Sequence, residues 1–241
     1  KLKIAFLYAK TPATSAWTYA HELGRLHLEQ TFPEEVTTEC YENLTQDLAE
    51  KAIADAIQKG CNIIFTTTPE FVQASVQAAI AHPEVKILNC SLNTSHRYIR
   101  TYYARMYEAK FLMGAIAGAM AENGQLAYIA DYPIFGTIAN INAFALGAKM
   151  VNPRAQVYLE WSTLKDVDLG IAMDNVIKKG VTVVSGRDMV IPEDASRYFG
   201  LYHIEKEGPR NLAMPLWHWG KFYEQLIRTI MDGTWKYDDN K

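Results

Sequence analysis

The sequence has no surplus of positive charge and no long hydrophobic run. Its 241 residues include 24 Lys and Arg against 27 Asp and Glu, giving a net charge of −3. Sequence-independent binding of DNA or RNA needs a basic surface, so no nucleic-acid partner is expected. The longest apolar run, residues 111–120, is too short to cross a bilayer as a helix. No transmembrane segment is therefore expected in this chain.

The sequence also lacks the common motifs of catalysis and metal binding. Its 3 cysteines, Cys40, Cys61 and Cys90, form no Cys-x-x-Cys pair, which argues against a zinc ribbon or a disulfide framework. It contains no His-Glu-x-x-His, no Gly-x-Ser-x-Gly and no glycine-rich phosphate loop after a strand. We therefore expect a protein that is not an enzyme and that uses no metal and no cofactor.

What the sequence does contain is an alternation of short apolar runs and amphipathic stretches. In the first part, strands are predicted at 4–8, 36–41, 61–65 and 85–89, with helices at 15–30 and 45–59 and another from Thr68 onward. After an extended stretch at 97–104, helices are predicted at 105–121, 135–150, 167–179 and 217–231, and strands at 126–130, 157–161, 181–185, 199–202 and 212–216. Such alternation predicts α/β lobes with doubly wound parallel sheets.

Two such lobes are expected, joined by a hinge. The first covers 1–104 and takes back the last helix, 217–241, while 105–216 form the second lobe with the hinge crossings. Two hinged α/β lobes suit a protein that binds a small molecule in the cleft between them.

Open parallel sheets present ligands at the carboxyl ends of their strands, so the residues that follow each strand are the candidates. They are aromatic or hydrogen-bonding, which suits a flat, weakly polar ring. The ligand-binding candidates are Tyr8, Trp17, Thr67, Thr68, Phe71, Arg105, Trp161, Arg187, Asp188 and Trp217. Asn89 and Ser91 follow the fourth strand.

Each candidate also has a purely structural interpretation. Trp17 fits the buried face of an amphipathic helix, and Trp217 could anchor the last helix. Arg105 could form a surface ion pair, and Arg187 could pair with Asp188 alone. The ligand hypothesis depends on the grouping of these residues at strand ends.

Several segments resemble the basic membrane protein family, which includes PnrA-type purine nucleoside receptors. Residues 108–118 resemble its acid-x-x-aromatic-Leu-x-Gly-x-x-Ala segment. Residues 129–153 resemble its second-lobe opening, with a helix ending in Phe-x-x-Gly-Ala. Residues 16–21 are similar to its Gly-Trp-Thr-Tyr helix start, and 232–235 match its closing Asp-Gly-x-Trp.

The resemblance implies a type I periplasmic-binding fold and a solute-binding role in an ABC importer. The partners would be a purine and a transporter permease, and the location would be extracytoplasmic, on a membrane-anchored lipoprotein. The family holds its purine between aromatic side chains of both lobes. By position, Trp17 would stack in the first lobe and Trp161 in the second, with Thr67 and Thr68 in contact with the ligand.

The sequence departs from the family pattern at three places. The loop 10–15 lacks the Asp-x-x-Asn of nucleoside receptors. Residues 200–202 lack the carboxylate that holds ribose, which favours a free base such as adenine over a nucleoside. The stretch 181–202 is shorter than usual by about a strand–helix unit, so the second lobe is expected to be shortened.

Two other functions stay open at this point. One is the ligand-sensing domain of a cytoplasmic regulatory protein built on the same fold. The other is a purine-processing hydrolase, which turnover of a nucleoside would reveal.

Overall fold

A computed structural model describes residues 1–91, 97–130, 135–162, 169–188 and 196–236, without the side chain of Phe135. The chain divides into two compact units: unit 1 is 1–104 with 218–241, and unit 2 is 105–217. Trp217, which the sequence analysis groups with the first lobe, is the last residue of unit 2.

Unit 1 is a parallel five-stranded sheet with helices on both faces. Its strands are β1 (Leu2–Leu7), β2 (Val36–Tyr41), β3 (Ile63–Thr66), β4 (Lys86–Cys90) and β5 (Arg100–Tyr102). Its helices are α1 (Ala16–Thr31), α2 (Gln46–Gln58) and α3 (Val72–Ala81), and later α7 (Trp219–Met231). The strand order is β2-β1-β3-β4-β5, and every pairing is parallel.

Side chains with different chemistry cover the two faces of this sheet. Ala5, Leu7 and Ile64 belong to an aliphatic cluster with α2 and α3. On the other face, toward α1 and α7, Phe6 and Phe65 stack with ring centroids 4.9 Å apart. Aromatic side chains are thus concentrated where the first and last helices of the unit pack.

The helix starts of unit 1 follow from the local sequence. Ser15 caps α1 by accepting from the N–H of Thr18, and Thr45 caps α2 by accepting from that of Leu48. The predicted helix from Thr68 begins instead as a 3₁₀ turn, Pro69–Phe71, which leads into α3. Proline suits such a first turn because it has no N–H to leave unpaired.

Unit 2 contains a mixed sheet. Its helices are α4 (Met106–Met120), α5 (Phe135–Val151) and α6 (Leu169–Lys178), and its strands are β6 (Gln125–Ala130), β7 (Gln156–Trp161), β8 (Val183–Ser185), β9 (Leu201–Glu205) and β10 (Gly208–Ala213). The order is β10-β9-β8-β6-β7. Residues 167 and 168 of the predicted sixth helix lie outside the described residues.

The unit 2 sheet differs from an all-parallel one at one edge. β6, β7 and β8 are parallel, but β9 and β10 form an antiparallel hairpin. The prediction of a strand at 212–216 was wrong, because the strand occupies Gly208–Ala213. Gly208 has φ 117° at the tight turn, and Pro215 lacks the N–H that a ladder requires.

Two glycines allow α4 and α5 to pack with their backbones in contact. A Cβ on Gly114 would overlap the carbonyl of Phe144, and one on Gly147 would overlap the carbonyl of Phe111. A Cβ on Gly118, one turn after Gly114, would likewise lie 2.7 Å from the carbonyl oxygen of Ala148, so both glycines of α4 serve close helix packing within unit 2.

Candidate functional site

Trp17 lies in the first turn of α1, and a hydrogen bond ties its indole to the end of β3. The indole N–H donates to the carbonyl of Thr67, with an Nε1···O distance of 2.8 Å. The side chain is half-buried. Since the N–H is already engaged by the backbone, a ligand here would meet the aromatic ring of Trp17 rather than its donor.

Other rings of unit 1 brace the Trp17 ring. His21 lies one turn further along α1, edge-on to Trp17 at 4.9 Å, and Trp219 of α7 lies edge-on to it at 5.7 Å. His21 and Trp219 stack on each other at 4.6 Å. The Trp17 indole is therefore fixed by one hydrogen bond and two ring contacts, as a preorganised platform would be.

His21 is itself buried and held by a tyrosine. Its Nδ1 lies 2.6 Å from the hydroxyl of Tyr223, which lies 3.0 Å from the hydroxyl of Tyr102. Burial lowers the pKa of His21 to about 3, so the imidazole is neutral at neutral pH. Its Nε2 has no hydrogen-bond partner among the described residues.

Thr67, Thr68, Phe71 and Tyr8 lie at the same edge of the sheet but point mostly into the protein. The Thr67 hydroxyl donates to the carbonyl of Leu7, and both Phe71 and Tyr8 are fully buried. The Tyr8 hydroxyl donates to Glu22 at 2.8 Å. Thr68 is half-buried, which makes its side chain the most accessible of the four.

Two polar residues at the end of β4 were not among the ligand candidates: Asn89 lies within the strand, and Ser91 follows it directly. Asn89 is buried, and its Nδ2 donates to the carbonyl of Thr68 at 2.9 Å. Its Oδ1 and the Oγ of buried Ser91 have no hydrogen-bond partner among the described residues. Leaving such atoms unpaired costs free energy, so they are stronger candidates than their position at the end of a strand suggests.

In unit 2, Asp188 pairs with a lysine. Lys110 of α4 is 1% exposed, and its Nζ donates to Asp188 at 2.6 Å and to Ser185 at 3.2 Å. The same ammonium lies 5.0 Å from the centre of the Tyr128 ring. The interpretation in which Asp188 pairs with Arg187 alone is therefore wrong, since Lys110 supplies the positive charge.

Arg105 precedes α4 and is mainly exposed. Its Nη1 lies 3.5 Å from Glu108, and both side chains are more than 60% exposed. This contact matches the surface ion pair considered as its structural role.

Trp161 and Trp217 are both half-buried. Trp161 ends β7 and packs against the cluster that includes Phe144 and Leu201. Trp217 stands two residues before α7. Their surroundings fit anchoring roles as well as ligand contact.

A pocket of about 290 Å³ opens at the carboxyl edge of the unit 2 sheet. Aliphatic, aromatic, hydroxyl and guanidinium groups meet there. It is lined by Ile129, Ser162, Leu169, Gly186, Arg187, Tyr198 and Tyr202. Sequence reasoning found Arg187 but missed the two tyrosines, because they lie in the stretch interpreted as a shortened part of the lobe.

Within the described ranges, no group of three His, Cys, Asp or Glu residues could hold a metal ion. The described helices include none with the length and apolar character to cross a membrane.

The family described as "ABC transporter substrate-binding protein PnrA-like", or Bmp, matches residues 1–192, which is most of the chain. The chain belongs to this family. The resemblance to the basic membrane protein family is thereby confirmed.

The chain is similar to a purine-binding protein of Brucella abortus (strain 2308), with 29% identity over 98% of this chain and 71% of the relative. It is also similar to a putative ABC transporter glucose-binding protein of Haloferax volcanii, with 24% identity over 97% of this chain and 62% of that protein. The chain thus spans less than two thirds of the second relative.

Among solved structures, it is similar to an ABC transporter solute-binding protein from Conexibacter woesei. The TM-score is 0.77 at 12% identity, covering 98% of this chain and 83% of that one. At this identity the likeness concerns the fold, and it confirms the predicted α/β fold of the periplasmic-binding type. The family consists of ABC transporter substrate-binding proteins, which act outside the cytoplasm with a small-molecule ligand and a permease.

Proposed function

We propose that this chain is the non-enzymatic binding component of an ABC importer and that it takes up a free purine base. The observation that carries the proposal is the Trp17 indole, held at the carboxyl edge of the unit 1 sheet by Thr67 and by its neighbouring rings. A fixed indole offers a large apolar face to a flat ring at low entropic cost. The purine-binding relative supports the ligand class.

Polar atoms at the end of β4, the strand next to β3, would contact the edge of the base. Asn89 Oδ1 is an acceptor buried without a partner among the described residues, and Ser91 Oγ is a donor or acceptor in the same state. A purine N–H directed at Asn89 would satisfy it, whereas a ligand without donors would leave it unpaired. The absence of a carboxylate at residues 200–202 favours a base over a nucleoside.

Two parts of the proposal concern the cell rather than the site. We propose a membrane-anchored lipoprotein outside the cytoplasm, with a permease as the protein partner. The sequence of the full gene and fractionation of the cells that express it would test the anchor directly.

The test is a binding series on the purified chain with adenine, hypoxanthine, guanine, adenosine and glucose. A ligand at 100 times its Kd should stabilise the fold by about 2.7 kcal/mol, which raises Tm by roughly 5 to 10 °C for this size. We expect a base to act and glucose not to act. A response to glucose alone would refute the purine proposal.

Replacing Trp17 by alanine should weaken purine binding at least tenfold, or about 1.4 kcal/mol, because the ring face is lost. Trp235 is the matched control. It is also a tryptophan of unit 1, but it contacts Lys86 at the start of β4, away from the carboxyl edge. Trp235→Ala should leave Kd unchanged in isothermal titration calorimetry. Equal affinities for the wild type and Trp17→Ala would remove Trp17 from the site.

A further inference from the structure

The pocket of unit 2 has room for a flat aromatic ligand. Its volume of about 290 Å³ lies at the lower end of small-molecule sites, which run from about 300 to 1,000 Å³. Ile129 and Leu169 provide an aliphatic wall, and Tyr198 and Tyr202 provide aromatic rings. A bicyclic purine base fits this space.

The two tyrosines differ in what they can offer a ligand. Tyr202 is 1% exposed, and its hydroxyl donates to the sulfur of Met173 at 3.2 Å. Tyr198 is 39% exposed and packs edge-on against Tyr202, with ring centroids 5.6 Å apart. The buried ring thus supports the exposed one, and Tyr198 is the aromatic face that a ligand would meet.

Backbone pairing holds the polar and aromatic walls together. Arg187 forms a parallel bridge with Phe199, next to Tyr198. The N–H of Gly186 donates to the carbonyl of Gly200 at 2.8 Å, and the N–H of Gly200 donates to the carbonyl of Arg187. The backbone positions of Arg187 and Tyr198 are therefore fixed relative to each other.

The hydrogen-bonding chemistry of the Arg187 side chain indicates which polar edge of a ring ligand would face it. A guanidinium carries five N–H donors in a planar fork and no acceptor, so it can hold a ligand while keeping another partner. Arginine pairs in bidentate fashion with the O6 and N7 of guanine, a pair of acceptors that every 6-oxopurine shares. Adenine has a donor amino group at the corresponding position, which a guanidinium opposes.

We propose that unit 2 selects 6-oxopurines over adenine, with Arg187 bonded to the O6 and N7 edge and Tyr198 against the ring. This assignment rests on the proposed purine function and narrows it from purines in general to hypoxanthine, guanine or xanthine. It also replaces the adenine-like ligand expected from the sequence, and it assigns the aromatic contact in unit 2 to Tyr198 rather than to Trp161.

The test compares hypoxanthine with adenine by calorimetry on the full chain. The wild type should bind hypoxanthine at least tenfold more tightly. Arg187→Met should weaken hypoxanthine binding ten- to a hundredfold and change adenine binding little, so the preference disappears. Arg154→Met is the matched control, because Arg154 is an exposed arginine of unit 2 that lies before β7, at the opposite edge of the sheet. This variant should retain the preference.

Two further variants guard against misfolding. Arg187→Lys keeps the charge but loses the planar fork, so it should lose most of the preference while keeping the melting temperature. Tyr198→Ala should weaken the binding of hypoxanthine and of adenine to a similar extent. Tyr198→Phe, which keeps the ring, should bind both bases as the wild type does. Melting curves identify any variant that fails to fold. If Arg187→Met or Tyr198→Ala does not fold, the binding data of Arg187→Lys or Tyr198→Phe test the proposal instead.

The outcomes separate this inference from the proposed function. Equal or tighter binding of adenine by the wild type, or equal loss for both bases in Arg187→Met, overturns the oxopurine assignment while the purine function stands. Binding of neither base by a folded wild type overturns the purine function itself.

Discussion

The two units arrange the carboxyl edges of their sheets by different chemistry. In unit 1, the groups around Trp17 are uncharged: its indole is bonded to a carbonyl, and a neutral His21 is bonded to Tyr223. In unit 2, full charges lie near the edge, with Lys110 bonded to Asp188 and the guanidinium of Arg187 at the pocket. Uncharged aromatic side chains are suited to contact the face of an aromatic ligand, whereas charged groups and hydrogen-bond donors are suited to contact its polar edge.

The difference also concerns what each unit risks if one group is lost. A neutral hydrogen bond contributes about 1 kcal/mol, and its loss is tolerable. A buried ion pair contributes little net stability when intact, but the loss of one member leaves an uncompensated charge. The Lys110–Asp188 pair should therefore be more sensitive to single substitutions than the neutral hydrogen bonds of Trp17 and His21.

Asp188→Ala should cause the largest loss of stability among these tests. It leaves the ammonium of Lys110 buried without its carboxylate, so we expect a loss of about 3 to 5 kcal/mol in the free energy of unfolding, measured by urea denaturation. The matched control in unit 1 is Lys221→Ala, which removes a 62% exposed partner of Glu224. That change should cost less than about 1 kcal/mol.

A second variant separates charge burial from packing at the same place. The double change Lys110→Met with Asp188→Leu removes both charges, so it should recover most of the stability lost in Asp188→Ala. If Asp188→Ala lowers the free energy of unfolding by less than about 1 kcal/mol, water or other groups replace the carboxylate. The contrast between the two units would then disappear.

The packing of α4 on α5 offers a second, smaller test within unit 2. A methyl group on Gly147 would meet the backbone of Phe111, so Gly147→Ala should cost about 1 to 3 kcal/mol through overpacking. Ala119→Ser, on the exposed side of α4, should change the unfolding free energy by less than about 0.5 kcal/mol. Equal effects in denaturant melts would show that the helices can move apart freely.

The sequence predicted most of the fold because local signals carry it. Ser15 and Thr45 identify helix starts, and alternating apolar runs identify strands, without reference to distant residues. The β9–β10 hairpin was misplaced because the turn signal, residues 205–208 ending in Gly208, was overlooked. A charged stretch closed by glycine could have revealed it.

The candidate site was less predictable because distant segments build it. Trp17 and Thr67 are 50 residues apart, and His21 and Tyr223 are 202 residues apart, so no local pattern records their contacts. The pairing of Asp188 with Lys110 spans 78 residues in the same way. Periodicity locates the end of a strand but leaves open which side chain there faces a ligand and which faces the core.

A change of pH tests whether His21, beside Trp17 in unit 1, stays neutral in the folded protein. Burial holds the pKa of His21 at about 3, below its value near 6.5 in the unfolded chain. The unfolded state therefore takes up a proton first as the pH falls. The stability from the neutral imidazole is complete above about pH 6.5 and declines below it, until the folded pKa near 3 is reached.

Between pH 7 and pH 5 this single group should cost the wild type about 2 kcal/mol of unfolding free energy. His21→Phe keeps a ring against Trp219 but cannot take up a proton. Between pH 7 and pH 5, its free energy of unfolding should therefore fall by about 2 kcal/mol less than that of the wild type. Parallel urea melts of both proteins at the two pH values measure the difference. Parallel declines would mean that His21 takes up its proton in the folded protein, and the edge of unit 1 could then no longer be described as neutral.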